Sequence, residues 1–348
     1  MNDTTIAIDL AKSVFEVGIS DCPGHVKKSV RLSREQLPAF MSNHPPATII
    51  MESCCSSHDW GRTFQGFGHG VKLLPPLYVR PYVQRSKTDR TDVKGMLEAS
   101  RNTEIKPVPV KTESQQQLTA LHRVRAGWMS TRTMRINCLR GLLSEFGIVF
   151  PMGAKAFVGR VGETIEDAET PIPMAMREML HQMLEEIREL EGRIKAVEKR
   201  LEAIAAETPV IERLRTIPGV GLLNATALVG FVGDVGRFPT GRHFAAYLGL
   251  TPSEHSSGSR RHLGRISKRG DIYLRTLLIH GGRSVLAGAK VKKDRDRLRT
   301  WALEVAARRG NNKGAAAVAN KLARIVWAVW KKGQPFESYR PQQEGAAV

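Results

Sequence analysis

The chain has 348 residues, enough for two or three domains with hydrophobic cores. Its 53 Lys and Arg against 34 Asp and Glu give a formal charge of +19, which favours a polyanionic partner. Four cysteines without a C-x-x-C pair argue against a disulfide framework or zinc site and for a reducing, cytoplasmic compartment. Because neither a signal peptide nor an apolar run of about 18 residues is present, we expect no membrane span and favour nucleic acid over lipid.

Residues 1–110 predict an α/β domain in which two acids end apolar strands. Asp9 follows Ile6-Ala7-Ile8, and Glu52 follows Ile49-Ile50-Met51. The alternation of apolar and polar residues predicts the order β-β-β-α-β-α-β, followed by an acidic helix. This order is typical of an RNase H-like sheet with Asp9 on its central strand. Open α/β sheets place their sites at the carboxyl ends of strands.

The acidic helix carries Asp89 and Asp92 one turn apart, in a run of basic residues from Ser86 to Lys94. Two like charges on one helix face are costly unless a cation joins them, so the pair indicates a metal site. Together with Asp9 and Glu52, the pair could hold two Mg²⁺ ions and activate phosphodiester chemistry. The alternative is that each acid caps a helix or forms a surface ion pair.

Residues 111–175 predict a basic helix and then a linker. The helical run Glu113–Phe146 contains five arginines that form either a solvated face or a basic flank to the acidic site: Arg123, Arg125, Arg132, Arg135 and Arg140. Proline and glycine in 147–175 favour a linker. Residues 176–208 then follow a heptad repeat from Met176 to Ile204, which predicts a coiled coil. The coiled coil could pair within the chain, but a contact between protomers is preferred.

Residues 209–335 predict a mostly α-helical domain, before a tail at 336–348. Thr216-Ile217-Pro218-Gly219-Val220-Gly221 before an apolar helix resembles a helix-hairpin-helix, in which glycines let the backbone approach phosphates. A plain connecting turn is the alternative. From Ser256 to Lys332 there are 20 Lys and Arg against 4 Asp and Glu, interleaved with apolar residues, which indicates a folded basic surface.

A turn of small residues, Ser256-Ser257-Gly258-Ser259, lies among arginines in this basic region. Such a turn is either a flexible loop or an exposed serine nucleophile whose reacting phosphate is stabilised by guanidinium groups. The motif is weak by itself.

Taken in order, these motifs resemble those of the DEDD transposases of bacterial insertion sequences, a family of bridge-RNA-guided recombinases. The N-terminal matches are Ala7–Lys12, Met51–Cys54 with His58 and Trp60, and Lys87–Asp92. The C-terminal matches are Ile217–Gly221, Ser257-Gly258, Gly264–Gly270 and Tyr273–Arg275. The resemblance covers roughly residues 4 to 333.

The resemblance implies a RuvC-like domain that binds Mg²⁺ through Asp9, Glu52, Asp89 and Asp92, and a serine that joins covalently to DNA. Ser257, directly before the glycine, is preferred to Ser256. A structured bridge RNA would pair with donor and target DNA, within a tetramer whose acids and serine come from different protomers. The residues expected to contact nucleic acid are Lys87, Arg90, Arg123, Arg132, Gly219, Gly221, Arg260, Arg261, Arg265, Lys268, Arg269 and Arg275.

Two other functions fit parts of the pattern. A junction-resolving nuclease would use the four acids without a serine adduct. A non-catalytic RNA-binding scaffold would use the basic faces and coiled coil without needing the acids.

Overall fold

The structure is a computed structural model that describes residues 4–22, 25–83, 88–291 and 296–337. Its contacts divide the chain into two units, Met1–Gln115 and Gln116–Val348. Over the described residues the protein is mixed α/β, with thirteen α-helices and a central mixed sheet. Within that part of the chain, no helix combines the length and the apolar character needed to cross a membrane.

The first unit contains a five-stranded sheet with helices on both faces. Its elements are β1 (Thr5–Asp9), β2 (Val14–Ser20), β3 (Lys28–Ser33), α1 (Gln36–Ser42), β4 (Thr48–Glu52), α2 (Ser57–Gly66), β5 (Gly70–Leu74), α3 (Pro76–Val79) and α4 (Asp89–Arg101). The strand order is β3-β2-β1-β4-β5, with β1 antiparallel to β2 and parallel to β4. The predicted element order and the central position of β1 are confirmed, in agreement with an RNase H-like architecture.

Alternating side chains on the strands give the sheet two apolar faces. On one face Ile6, Ile8 and Met51 pack with α1 and α2, around the fully buried Phe64. On the other face Ala7, Ile50 and Leu74 pack with Val93 and Met96 of α4. We refer to the second side as the α4 face; it is the side on which the acids lie.

The second unit is mainly helical and includes most of a helix that begins just before it. Its elements are α5 (Glu113–Glu145), α6 (Ala154–Glu166), α7 (Met174–Ala206), α8 (Pro209–Arg215), α9 (Leu222–Val232), α10 (Gly241–Tyr247), β6 (Pro252–Glu254), β7 (Leu263–Ile266), α11 (Ile272–Val291), α12 (Arg297–Arg309) and α13 (Asn311–Lys332). Its main core joins α7, α8 and α9 with α10 to α13. Antiparallel β6 and β7 form a two-stranded hairpin between α10 and α11.

The segment predicted to be a linker, 147–175, contains α6. Phe157, Val161 and Ile165 of this helix recur every four residues and are buried against α5 and α7. Pro151, Pro171 and Pro173 lie outside this helix, on either side of it, whereas Gly159 and Gly162 lie within it. The linker prediction was therefore wrong for residues 154–166.

The heptad seam lies on α7 and is covered within the same chain. Leu180 and Ile187 are buried with Leu139 and Leu143 of α5, whereas Val197 and Leu201 enter the main core. Three ion pairs connect α5 with α7 in opposite residue order, so the two helices run antiparallel. The pairs are Arg125–Glu198 (2.7 Å), Arg132–Glu191 and Arg135–Glu186 (2.8 Å). The seam is thus buried within one chain, by α5 and α6 over its first half and by the main core over its second, and is not left exposed for the second protomer that the repeat suggested.

Candidate functional site

Asp9 and Glu52 end two neighbouring parallel strands of the sheet. Their preceding residues, Ile8 and Met51, are partners in the β1–β4 register. Asp9 lies two positions after Ala7 and Glu52 two positions after Ile50, so both acids belong to the α4 face. The carboxyl ends of β1 and β4 thus contribute one acid each to the same edge of the sheet.

The other two predicted ligands, Asp89 and Asp92, occupy the first turn of α4, which packs on this face. Thr88 caps the helix: its hydroxyl accepts from the Thr91 N–H at 3.3 Å, and the Thr88 N–H donates to the Thr91 hydroxyl at 2.9 Å. Acidic side chains are favoured at a helix N-terminus because its unpaired N–H groups carry partial positive charge. The cap therefore defines where the Asp-x-x-Asp pair begins.

A fifth carboxylate, Glu16, lies on the α4 face and was missed by the sequence reasoning. It is the register partner of Asp9 on β2, and only 4% of the residue is exposed. It accepts from the Ser29 hydroxyl and, at 2.9 Å, from Arg31 Nε, while Arg90 Nε lies 3.7 Å from it. The sequence does show an acid within the apolar strand Val14-Phe15-Glu16-Val17. Only the pairing of β1 with β2 shows that this acid lies beside Asp9.

The environment of Glu16 favours its charged form despite burial. Burial raises the pKa of this carboxyl, but the hydrogen bonds from Ser29 and Arg31 and the charges of Arg31 and Arg90 outweigh it. The pKa of Glu16 is consequently below its ordinary value. Arg31 also approaches Asp89, with Nη2 3.9 Å from Oδ2, so a guanidinium links the buried acid to a predicted metal ligand.

The donor set of the α4 face suits a hard divalent cation, because Mg²⁺ prefers carboxylate oxygens. Within the described ranges, however, no three His, Cys, Asp or Glu side chains lie close enough together to form a metal-holding group. The residues that would hold an ion are Asp9, Glu52, Asp89 and Asp92. Metal binding would have to draw the strand ends and the first turn of α4 together around the ion.

The predicted serine turn forms the tip of the β6–β7 hairpin. The Arg260 N–H donates to the Ser257 carbonyl at 3.2 Å, and Gly258 has φ +56°. These two features close a tight turn over Ser257-Gly258-Ser259-Arg260, in which glycine accommodates the left-handed backbone. All four residues are exposed.

The hydroxyl groups of the two candidate serines have different surroundings. Ser256 Oγ donates to Glu254 Oε1 at 2.8 Å and accepts from the His262 N–H at 3.1 Å. Arg261 Nε donates to the same Glu254 oxygen at 3.1 Å. The hydrogen bonds from Ser256 and Arg261 lower the pKa of Glu254. Ser256 thus ties the two sides of the hairpin together, whereas Ser257 Oγ has no side-chain hydrogen bond to any described residue.

The basic residues of this region divide between the surface and the packing beneath it. Arg260, Arg261, Arg265, Lys268 and Arg269 are exposed and form what we term the hairpin basic surface. Lys268 has φ +55°, a left-handed conformation that is uncommon for lysine.

Arg275, by contrast, is 7% exposed. It donates to the carbonyls of Arg269 at 3.1 Å and of Leu248 at 3.4 Å. Arg275 therefore supports the hairpin basic surface from below and is not part of it.

The helix-hairpin-helix-like segment is the loop between α8 and α9. Gly219 has φ +82°, and a Cβ there would lie 2.6 Å from the Gly281 carbonyl oxygen of α11. This glycine is thus required by close packing. Gly221 precedes α9, and a Cβ on it would meet open space. A groove of about 780 Å³ runs past the loop between Arg215, His280 and Arg299.

The remaining predicted nucleic-acid contacts have mixed surroundings. Arg123 is exposed on α5, whereas Arg132 pairs with Glu191 of α7. Arg90 is exposed and lies beside Glu16. Lys87 lies outside the described residues.

Comparison with known proteins connects both units to one class of enzyme. Residues 211–298 match the profile described as Transposase IS116/IS110/IS902 family, and residues 6–148 match a DEDD profile described as Transposase. A probable family 20 transposase of Pseudomonas aeruginosa is 40% identical over 98% of this chain and 100% of its own length.

Two further relatives also match over nearly their whole length. The transposase for insertion sequence element IS1111A of Coxiella burnetii is 35% identical over 95% of this chain and 90% of the relative. The transposase for insertion sequence element IS1328 of Yersinia enterocolitica is 36% identical over 96% of this chain and 99% of the relative. With matches that extend through the acid-bearing sheet and the serine-bearing hairpin, the chain belongs to the IS116/IS110/IS902 family of transposases.

Proposed function

We propose that this chain is the transposase of an insertion sequence and that it cuts and rejoins donor and target DNA. The observation that carries the proposal is the set of acids on the α4 face, within a family of transposases. Asp9, Glu52, Asp89 and Asp92 hold Mg²⁺ in the active enzyme. When bound, the ion supplies charge stabilisation at the reacting phosphate.

Ser257 is the proposed nucleophile. Its Oγ forms a bond to a DNA phosphorus while one strand oxygen leaves, which preserves the phosphodiester energy for rejoining. Support comes from its exposed place at the hairpin tip and from the structural hydrogen bonds that occupy Ser256. The guanidinium groups of Arg260 and Arg261 are close in sequence and can stabilise charge on the phosphate oxygens.

A structured bridge RNA is the proposed guide. It pairs with donor and target DNA, while the protein contacts backbone and shape. The hairpin basic surface, Arg123, Arg90 and the loop at Gly221 supply exposed positions for such contacts. The proposed assembly is a tetramer, as the family resemblance implies, with contacts other than the α7 seam.

The experiment is a transposition assay in bacteria that carry the complete element, with recombinant junctions counted by sequencing. Asp89→Asn and Ser257→Ala should each abolish junctions at unchanged protein abundance. Asp59→Asn, at an exposed position of α2, and Ser259→Ala, in the same turn as Ser257, are matched controls that should remain active. A fully active Asp89→Asn variant would contradict the metal site.

Denaturing gels of the purified protein with element DNA separate the serine assignments. Wild type should give a protease-sensitive adduct that Ser257→Ala lacks. An adduct that persists in Ser257→Ala but disappears in Ser256→Ala would move the nucleophile to Ser256. Strand cleavage without any serine-dependent adduct would favour the junction-resolving nuclease.

Co-expression of Asp89→Asn and Ser257→Ala chains tests the proposed sharing of sites between protomers. Recovery of junctions requires that one chain supplies acids and another supplies serine. No recovery, with both variants stable and able to bind RNA, would indicate that each chain uses its own residues.

A further inference from the structure

Glu16 is a buried acid that forms ion pairs with two exposed arginines. Its side chain is 2% exposed, whereas those of Arg31 and Arg90 are 69% and 78% exposed. The arginines come from different elements, β3 and α4, and meet at this one carboxylate. Ser29 supplies a further hydrogen bond from β3.

A buried carboxylate is costly unless it is paired and hydrogen-bonded, so Glu16 favours the arginine rotamers that keep a guanidinium beside it. Loss of the acid would leave both arginine side chains with the freedom of ordinary surface residues. The carboxylate thus anchors from beneath two guanidinium groups that would otherwise sample many rotamers.

The anchored arginines lie where the α4 face needs positive charge. Arg31 Nη2 is 3.9 Å from Asp89 Oδ2, and Glu16 is the register partner of Asp9. Five carboxylates lie on this face, and a DNA phosphate that approaches it meets repulsion. Planar guanidinium groups bind phosphate oxygens in a defined geometry, better than a mobile ammonium does.

We propose that Glu16 is a positioning residue that holds Arg31 and Arg90 at the edge of the acid face, where they orient the scissile DNA phosphate. The proposal rests on the function proposed above and adds to the same site a positioning residue and two phosphate-binding arginines. In this proposal, Glu16 itself contacts neither the DNA nor the Mg²⁺ ion. Its effect on the reaction passes through the two arginines.

The test uses the full-length protein, purified with the RNA from cells that carry the element, and a plasmid bearing that element as substrate. Glu16→Gln keeps the shape and acceptor oxygen but removes the charge. At saturating DNA its cleavage rate should fall about tenfold to hundredfold, as expected when a phosphate-orienting group is misplaced. DNA affinity by fluorescence anisotropy should change less than about threefold, because many other basic residues bind the backbone.

A double-variant comparison distinguishes positioning from a general structural role. Arg31→Gln combined with Arg90→Gln should reproduce the loss of rate, and addition of Glu16→Gln should then cause no further loss. Glu16→Asp, which keeps the charge, should recover part of the rate. Ser29→Ala is the matched control: it removes one hydrogen bond from the carboxylate but neither arginine, and should stay within about threefold of wild type.

Three results would overturn the proposal: an unchanged rate in Glu16→Gln, additive losses in the triple variant, or equal losses of rate and DNA affinity. If Glu16→Gln unfolds at a much lower temperature than wild type, the double arginine variant carries the test, and its normal rate would also overturn the proposal. Failure of the proposed function gives a different pattern, because Asp89→Asn would then cleave like wild type.

Discussion

At the residue scale, a buried hydrogen-bond chain crosses the second unit at His122. Thr226 Oγ1 donates its single proton to the Leu222 carbonyl at 2.6 Å, so it must accept from His122 Nε2 at 2.9 Å. Nδ1 is then the acceptor for the Tyr273 hydroxyl at 3.0 Å. These hydrogen bonds require a neutral imidazole with its proton on Nε2. They also connect α5, α9 and α11, which carry His122, Thr226 and Tyr273 respectively.

Protonation of His122 should destabilise the fold in mild acid. Burial, and secondarily the charge of Arg125, lowers the pKa of His122 from 6.5 to about 4. Because the folded pKa is lower, the stabilisation is complete above about pH 6.5 and is lost as pH falls toward 4. His122→Gln should reduce the difference in unfolding free energy between about pH 7 and pH 5 by about 2 kcal/mol, measured by urea denaturation.

The control for this measurement is His280→Gln, since His280 is exposed on α11. It should retain the wild-type difference between the two pH values. An unchanged pH dependence in His122→Gln would show that other groups cause the acid sensitivity.

Glycine substitutions provide a second residue-scale prediction. Gly249 has φ +69°, and a Cβ there would lie 2.0 Å from the Arg269 carbonyl oxygen. Gly249→Ala should therefore cost about 2 kcal/mol or more. Gly141→Ala on α5 is the matched control, because its Cβ would meet no atom within 4 Å; it should stabilise by about 0.5–1 kcal/mol. Thermal melting separates the two, and equal effects would contradict the packing of Gly249.

At the element scale, α7 shows how a heptad repeat can be satisfied without a second chain. The apolar seam packs on α5 and α6, and the Arg–Glu pairs run along its border. Arg132, expected to bind nucleic acid, is one of these arginines. The same 3.5-residue spacing serves an antiparallel helix pair and an intermolecular coiled coil equally well.

Shortening a buried side chain of the α7 seam should therefore lower the stability of the fold and leave the oligomeric state unchanged. Ile187 is fully buried, and Ile187→Ala should lower the unfolding free energy by about 2–5 kcal/mol. The mass of the folded protein by light scattering should stay at the wild-type value. Met179→Ala, on the half-exposed side of α7, should cost much less. A change of mass with little loss of stability in Ile187→Ala would instead place the seam between chains.

At the scale of the whole molecule, the charge of +19 should dominate the affinity for nucleic acid. If binding neutralises six or more phosphates, affinity should fall about thousandfold or more between 50 and 200 mM salt, since condensed counterions are released on binding. Fluorescence anisotropy with labelled DNA or RNA measures this slope. Asp89→Asn should keep the wild-type slope of log affinity against log salt concentration. Lys268→Ala should reduce that slope by about one, the contribution of one phosphate contact. A fall of less than tenfold would exclude the extended basic interface.

The sequence by itself determined the order of the elements along the chain, the central place of β1, and the positions of the four acids at strand ends and in the first turn of α4. These features depend on local alternation, on capping residues and on chain direction, all of which are encoded over a few neighbouring positions. It also located the turn at Ser257-Gly258, because glycine marks the left-handed position within the motif.

Only the tertiary structure decided which side chains those local elements bring together. Strand register placed Glu16 beside Asp9, and packing of α10 and α11 buried Arg275. Contacts across the hairpin engaged Ser256 and left the Ser257 hydroxyl without a side-chain partner among the described residues. The heptad repeat favoured a second protomer as the partner of the α7 seam, whereas the folded chain covers the seam with α5, α6 and the main core. In each case the deciding contact joins residues that are distant in sequence or depends on geometry that residue spacing does not encode.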